Sequence, residues 1–129
     1  MRELAPIIND ACLQIEKIIK SLPKNRDIEP FCRAVEQLES KADDIYHGGL
    51  KRRFREIRSD RASLEDTIKS SSGEISPAEL LPIINANVEY TRHVAIFFIL
   101  RQVYAELERA IDACTDITAA LKRMVSKNV

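Results

Sequence analysis

The chain has 129 residues, with 20 basic and 20 acidic side chains and therefore no formal net charge. That length predicts one domain, large enough to bury a core without staples, and the balanced charge supplies no global attraction for nucleic acid. With 3 Gly, 5 Pro and 5% aromatic residues, the composition argues against sandwiches and barrels and favours an all-helical protein.

The first predicted helix runs from Pro6 to Leu22. Ile8, Ala11, Ile15, Ile18 and Leu22 recur at 3, 4, 3, 4 and define one face. Pro6 suits an early helical position and Pro23 closes the segment. The polar connection Lys24-Asn25-Arg26-Asp27 is short, which favours an antiparallel neighbour.

The second helix is expected from Glu29 to about Ser59, with Pro30 at its entrance and Asp27 as its cap. Phe31, Val35, Leu38, Ala42 and Ile45 form its apolar face. Gly48-Gly49 interrupts it, at a cost of about 1 kcal/mol for each glycine relative to alanine. A kink, or the close approach of another backbone, is the expected reason. Residues from 60 to 73 are polar, with one or two helical turns expected in Ala62 to Lys69 and a loop signal in Ser70-Ser71-Ser72-Gly73.

Ser76-Pro77-Ala78-Glu79 reads as a capping box that starts the last helix. Pro82 is tolerable because it lies in the first turns, and from Ile83 to Lys127 there is neither glycine nor proline. Leu100, Val103, Leu107, Ala110, Cys114, Ile117, Leu121 and Met124 alternate 3 and 4 without error. Tyr104, Ile111, Thr118 and Val125 widen that stripe, as a helix with two neighbours requires. The expected architecture is an all-α, antiparallel three-helix bundle over 1–129, with an inserted arm at about 60–93.

Cys12, Cys32 and Cys114 share no CxxC spacing and read as small buried side chains in a reducing cytoplasm. No signal peptide is expected at the N-terminus. The longest apolar run, Val94 to Leu100, is seven residues, against about 20 for a bilayer span. It is apolar all round, so the arm or a second subunit is expected to cover it.

Glu39 to Asp43 and Glu108 to Asp112 repeat one pattern, Glu-x-x-x-Asp, each preceded by a core leucine, Leu38 or Leu107. Positions four apart on a helix lie one above the other, about 5–6 Å apart at Cβ. Both carboxylates of a pair can reach one cation, and two pairs across a helix interface would offer a hard or borderline metal ion four or more oxygens. The alternative is a solvated acidic face. The same pattern recurs at Glu56 to Asp60.

Other constellations are weaker. Lys51 to Arg61 carries six basic residues and fits either an anion contact or a solvated face, with only Phe54 interleaved for stacking. Asp44 and His47 are spaced as in one ligand motif of a di-metal oxidase bundle, in a single copy. Glu89 and His93 read as a pair on the helix surface. No nucleophile, phosphate loop or paired acid–base set is present, so no enzyme is expected.

The stretch Phe31 to Phe54, with Leu38-Glu39-Ser40-Lys41-Ala42-Asp43-Asp44-Ile45-Tyr46, resembles the second helix of a PhoU-like bundle repeat. Leu100 to Val129, with Tyr104-Ala105-Glu106-Leu107-Glu108-Arg109-Ala110-Ile111-Asp112, resembles its last helix. The nearest likeness is to the divergent short branch paired with low-affinity phosphate transporters. One repeat is visible, like the C-terminal one of the family's two tandem three-helix bundles, and a self-complementary dimer would supply the second. The resemblance implies a cytoplasmic regulator of phosphate uptake that contacts a transporter component or a sensor protein. It further implies iron or zinc held by Glu39, Asp43, Glu108 and Asp112, flanked by Glu36, Asp44 and Asp116.

Overall fold

Among its described residues, this computed structural model of the chain has three α-helices: α1 (Leu4–Ser21), α2 (Glu29–Ser70) and α3 (Pro77–Lys127). A single 3-10 turn, Leu22–Lys24, follows α1. The structure describes residues 3–24, 27–71, 73 and 76–127. Parts of the expected connection at 24–27 and of the expected loop at 70–73 therefore lie outside the described residues. No strand occurs among the described residues, and no helix there is long and apolar enough to cross a membrane.

Local chemistry fixes the helix starts. Asp27 Oδ1 accepts the Glu29 N–H at 3.0 Å, and the Ile28 carbonyl accepts from Phe31 and Cys32 at 3.1 Å each. At α3 the box closes in both directions: the Ser76 N–H donates to Glu79 Oε2 at 2.9 Å, and the Glu79 N–H donates to Ser76 Oγ at 3.3 Å. The backbone N–H of Ser76, and then its hydroxyl, hold the Glu79 carboxyl below the usual carboxylate range.

Helix α2 continues past Ser59 to Ser70. Its polar residues satisfy themselves within the helix. Arg61 reaches Glu65 at 2.9 Å, and the hydroxyls of Thr67 and Ser70 donate to the carbonyls four residues back, each at 2.8 Å. A polar run reads as a loop by composition, yet these back-bonds are compatible with helix. Residues 60–70 and 77–93 are thus turns of the two long helices.

The molecule divides into two compact units. Unit 1 combines Met1–His47 with Val103–Val129, and unit 2 is Gly48–Gln102. In unit 1, Cys12 touches Cys114 (Sγ to Sγ 4.0 Å), and Ile18 packs with Ile28, Cys32, Leu121 and Val125. Glu29 pairs with Lys122, and Tyr46 meets Tyr104. Contacts ascend together along α1 and α3 and run oppositely along α2 and α3, which makes an up-down-up three-helix bundle. Its core is Leu4, Ile7, Ala11, Ile18, Ile28, Cys32, Val35, Ala42, Tyr104, Ile111 and Cys114. Thr118, buried with them, donates to the Cys114 carbonyl at 2.8 Å.

The buried stripes are rotated from those the apolar spacing suggests. In α1 the line is Leu4, Ile7, Ala11, Ile18, while Ile8 and Ile15 are half-buried. Gln14 lies on that line and masks it. In α3 the line is Tyr104, Ile111, Cys114, Thr118, and Ile117 and Met124 are exposed. The reason is that α3 must face α1 and α2 together, so the residues between its two contact directions are buried deepest. Cys12 is exposed, unlike Cys32 and Cys114.

Unit 2 is a hairpin of the second part of α2 and the first part of α3. Leu50, Arg53, Ile57, Asp60, Leu64, Thr67 and Ser71 are half-buried at strict 3, 4 spacing. On α3 the matching row is Ile83, Ala86, Tyr90, His93, Phe97 and Leu100. His93 Nδ1 lies 2.5 Å from Asp60 Oδ2, and the Phe54 and Phe97 rings are 6.4 Å apart, so this pair of helices is also antiparallel. Among the described residues Gly49 is the one buried position of unit 2.

Two stability outcomes follow from the burial pattern. Ile18→Ala should cost about 2–5 kcal/mol in denaturant unfolding, whereas Ile117→Ala should change stability by no more than about 0.5 kcal/mol. A Cβ at Gly48 would meet nothing within 4 Å. Gly48→Ala should therefore stabilise the helix by about 0.5–1 kcal/mol, read as a melting temperature a few degrees higher.

Candidate functional site: an acidic face on unit 1

The site begins with register. Glu29–Lys122 and Tyr46–Tyr104 fix how α2 and α3 run past each other. That register sets Glu39 level with Asp112 and Asp43 level with Glu108. All four acids belong to unit 1. Glu39 and Glu108 are half-buried, and Asp43 and Asp112 are exposed. Glu39 sits on the inward row of α2 that also holds Cys32, Val35 and Ala42, so a carboxylate interrupts an otherwise apolar line.

Neutralisation is sparse. Among the described residues, none of the four acids pairs with a lysine or arginine, although Glu106, two residues before Glu108, pairs with Arg109. Asp43 alone has a cationic candidate, His47, at 2.9 Å from Oδ1 to Nδ1. The same ring nitrogen donates to the Asp43 carbonyl at 3.0 Å. That backbone bond, then the Asp43 charge, raises the His47 pKa above its ordinary value, and the Glu108 charge on α3 adds to the effect. The imidazole and Tyr46 rings also form a T-shaped pair, centroids 5.1 Å apart, and Tyr46 meets Tyr104 in the same manner at 6.0 Å.

The donor set suits a hard divalent ion in kind, being carboxylate oxygen. It is not drawn together: among the described residues no group of three or more His, Cys, Asp or Glu side chains is placed to hold an ion. Of the flanking acids, Glu36, Asp44 and Asp116 are all exposed.

His47 lies three residues after Asp44 in the sequence, but in the structure it bonds Asp43, four residues before it. Four-residue spacing on a helix carried that signal. The Tyr46–Tyr104 contact left no trace in the spacing, because it depends on the register between two distant helices. The Lys51 to Arg61 run lies in unit 2, where Arg53 pairs with Glu56 and Arg61 with Glu65, and Lys51, Arg52, Arg55 and Arg58 are exposed.

Comparison of the chain with known protein families, with characterised proteins and with solved structures gives no match.

The histidine gives a direct test. Its folded pKa is raised, so the stabilising charged form is fully present below the ordinary histidine value and is lost as pH rises through the raised one. Proton NMR should place the His47 titration above that of a model imidazole. Asp43→Asn should move it down, and Glu108→Gln should move it down less.

Proposed function

We propose that this chain is a non-enzymatic regulatory adaptor that acts through binding in the cytoplasm. Its recognition surface on unit 1 is the face formed by Glu39, Asp43, Glu108 and Asp112. The observation that carries this reading is the register that brings two acid pairs from separate helices to one level while leaving them without lysine or arginine partners. Four carboxylates so placed raise a local negative potential that an arriving cation relieves.

The resemblance of residues 31–54 and 100–129 to PhoU-like repeats gives the finer form of the proposal. There the cation is iron or zinc, and the partner is a phosphate transporter component or a sensor protein. The protein itself supplies the oxygen ligands and the rigid helical frame that spaces them. A metal bound there would neutralise the face and shape it for docking.

The second reading is a metal-free helical interaction module, whose acids meet a basic segment of the partner. The absence of any three converging ligands among the described residues favours it. Calorimetric titration of the purified protein with Zn2+ and Mn2+ separates the two. The metal form predicts saturable binding that Glu39→Gln with Glu108→Gln abolishes, with helicity unchanged by circular dichroism. No saturable heat in the wild type, or heat that survives the double variant, contradicts the metal form.

A further inference from the structure

Helix α3 carries a second apolar row within unit 2, on the side turned away from its row toward α2. Leu81, Ile84, Val88, Thr91, Ala95 and Phe98 are spaced 3, 4, 3, 4, 3, and every one is exposed. The exposure is large: 61% for Leu81, 57% for Val88 and 60% for Phe98. Leu80 and Ile99 extend the surface, and they too are exposed. A strict 3, 4 alternation of apolar and small residues is the pattern of a helix seam. Here the seam has no partner within its own unit, and that unit has no buried side chain among the described residues to stabilise the hairpin otherwise.

We infer that the partner is a second copy of this chain, packed α3 against α3 about a two-fold axis that passes between Glu89 and Tyr90. The spacing of the seam is the same read in either direction. Antiparallel pairing of two copies therefore sets Leu81 against Phe98, Ile84 against Ala95 and Val88 against Thr91, with each pair occurring twice. The Ile84–Ala95 pair joins a branched side chain to a smaller one, which lets the seams interdigitate there, and Val88 and Thr91 are of similar size. Such an isologous contact closes on itself.

Charge and area agree with this occupant. Two copies of one surface oppose like groups, so a charged seam would repel itself. The flanking positions Leu80, Asn85, Asn87, Val94 and Ile99 are uncharged. The charged flank, Arg92, is already paired with Glu89 at 2.6 Å. The six exposed large apolar side chains of the surface offer roughly 600 Å² per copy, so the contact removes at most about 1,200 Å² in total, the lower end of what stable pairs bury. A contact near that lower limit fits a reversible, concentration-dependent dimer.

This surface belongs to unit 2 and shares no residue with the acidic face, so the two proposals fail separately. The test is sedimentation velocity of the full chain from about 1 to 100 µM. The wild type should shift from monomer to dimer across that range. Ile84→Glu and Val88→Glu should each weaken the dimer by about 100-fold or more, with helicity equal to wild type at low concentration. Lys51→Glu, on α2, should leave the dimer intact. A Val88→Cys, Thr91→Cys double variant should form an oxidised dimer linked between those two positions. A wild type that stays monomeric throughout, or a dimer indifferent to both glutamates, overturns the inference. If one glutamate variant loses helicity, the other variant and the cysteine linkage decide.

Discussion

Apolar burial is unequally shared along two helices that are themselves continuous. A 51-residue helix such as α3 needs tertiary packing along its length, because helix propensity alone leaves long exposed helices marginal. In unit 1 that need is met by α1, which completes a three-helix core around Ile18, Val35, Ile111 and Cys114. Among the described residues unit 2 has no third helix. The row that α2 contributes there is partly polar, with Arg53, Asp60, Thr67 and Ser71 in seam positions. The Asp60–His93 contact gives the hairpin its register but little apolar burial. From this shortage follow both the exposure of Leu81, Val88 and Phe98 and the case for a second copy.

The same arrangement separates two kinds of surface. The acids of unit 1 stand on a well-packed frame, where α2 and α3 are held by Glu29–Lys122 at one level and Tyr46–Tyr104 at another. Lys122 holds the Glu29 carboxyl below the usual carboxylate range, and Glu29 in turn raises the Lys122 ammonium pKa. A frame fixed in this way suits a recognition surface whose groups must keep their spacing. The apolar face of unit 2 suits an association whose strength depends on concentration.

Much of the fold was legible in the chain. The capping box at Ser76 and Glu79 located the start of α3 to the residue, because its reciprocal bonds are purely local. Asp27 announced α2 for the same reason. Rotational setting was less legible. Gln14 sits on the buried line of α1, and Ile117 and Met124 point outward from α3, so counting apolar residues finds a face offset from the real one. Which side of a helix is buried depends on where its neighbours lie, and that is not a local property. The extension of α2 to Ser70 was hidden for another reason: serine and threonine back-bonding is compatible with helix in a segment whose composition resembles a loop. For the site, the spacing of the acid pairs was visible in the sequence, whereas their common level required the register between α2 and α3.

In the proposed dimer a second molecule stabilises the first half of α3, whereas the chain itself stabilises its second half. Amide hydrogen exchange followed by mass spectrometry at two protein concentrations reads this directly. The account predicts slow, concentration-independent exchange for residues 104–118. For residues 80–99 it predicts faster exchange in dilute solution and protection that grows as the protein is concentrated. Protection of 80–99 that is the same at both concentrations and equal to that of 104–118 would contradict it.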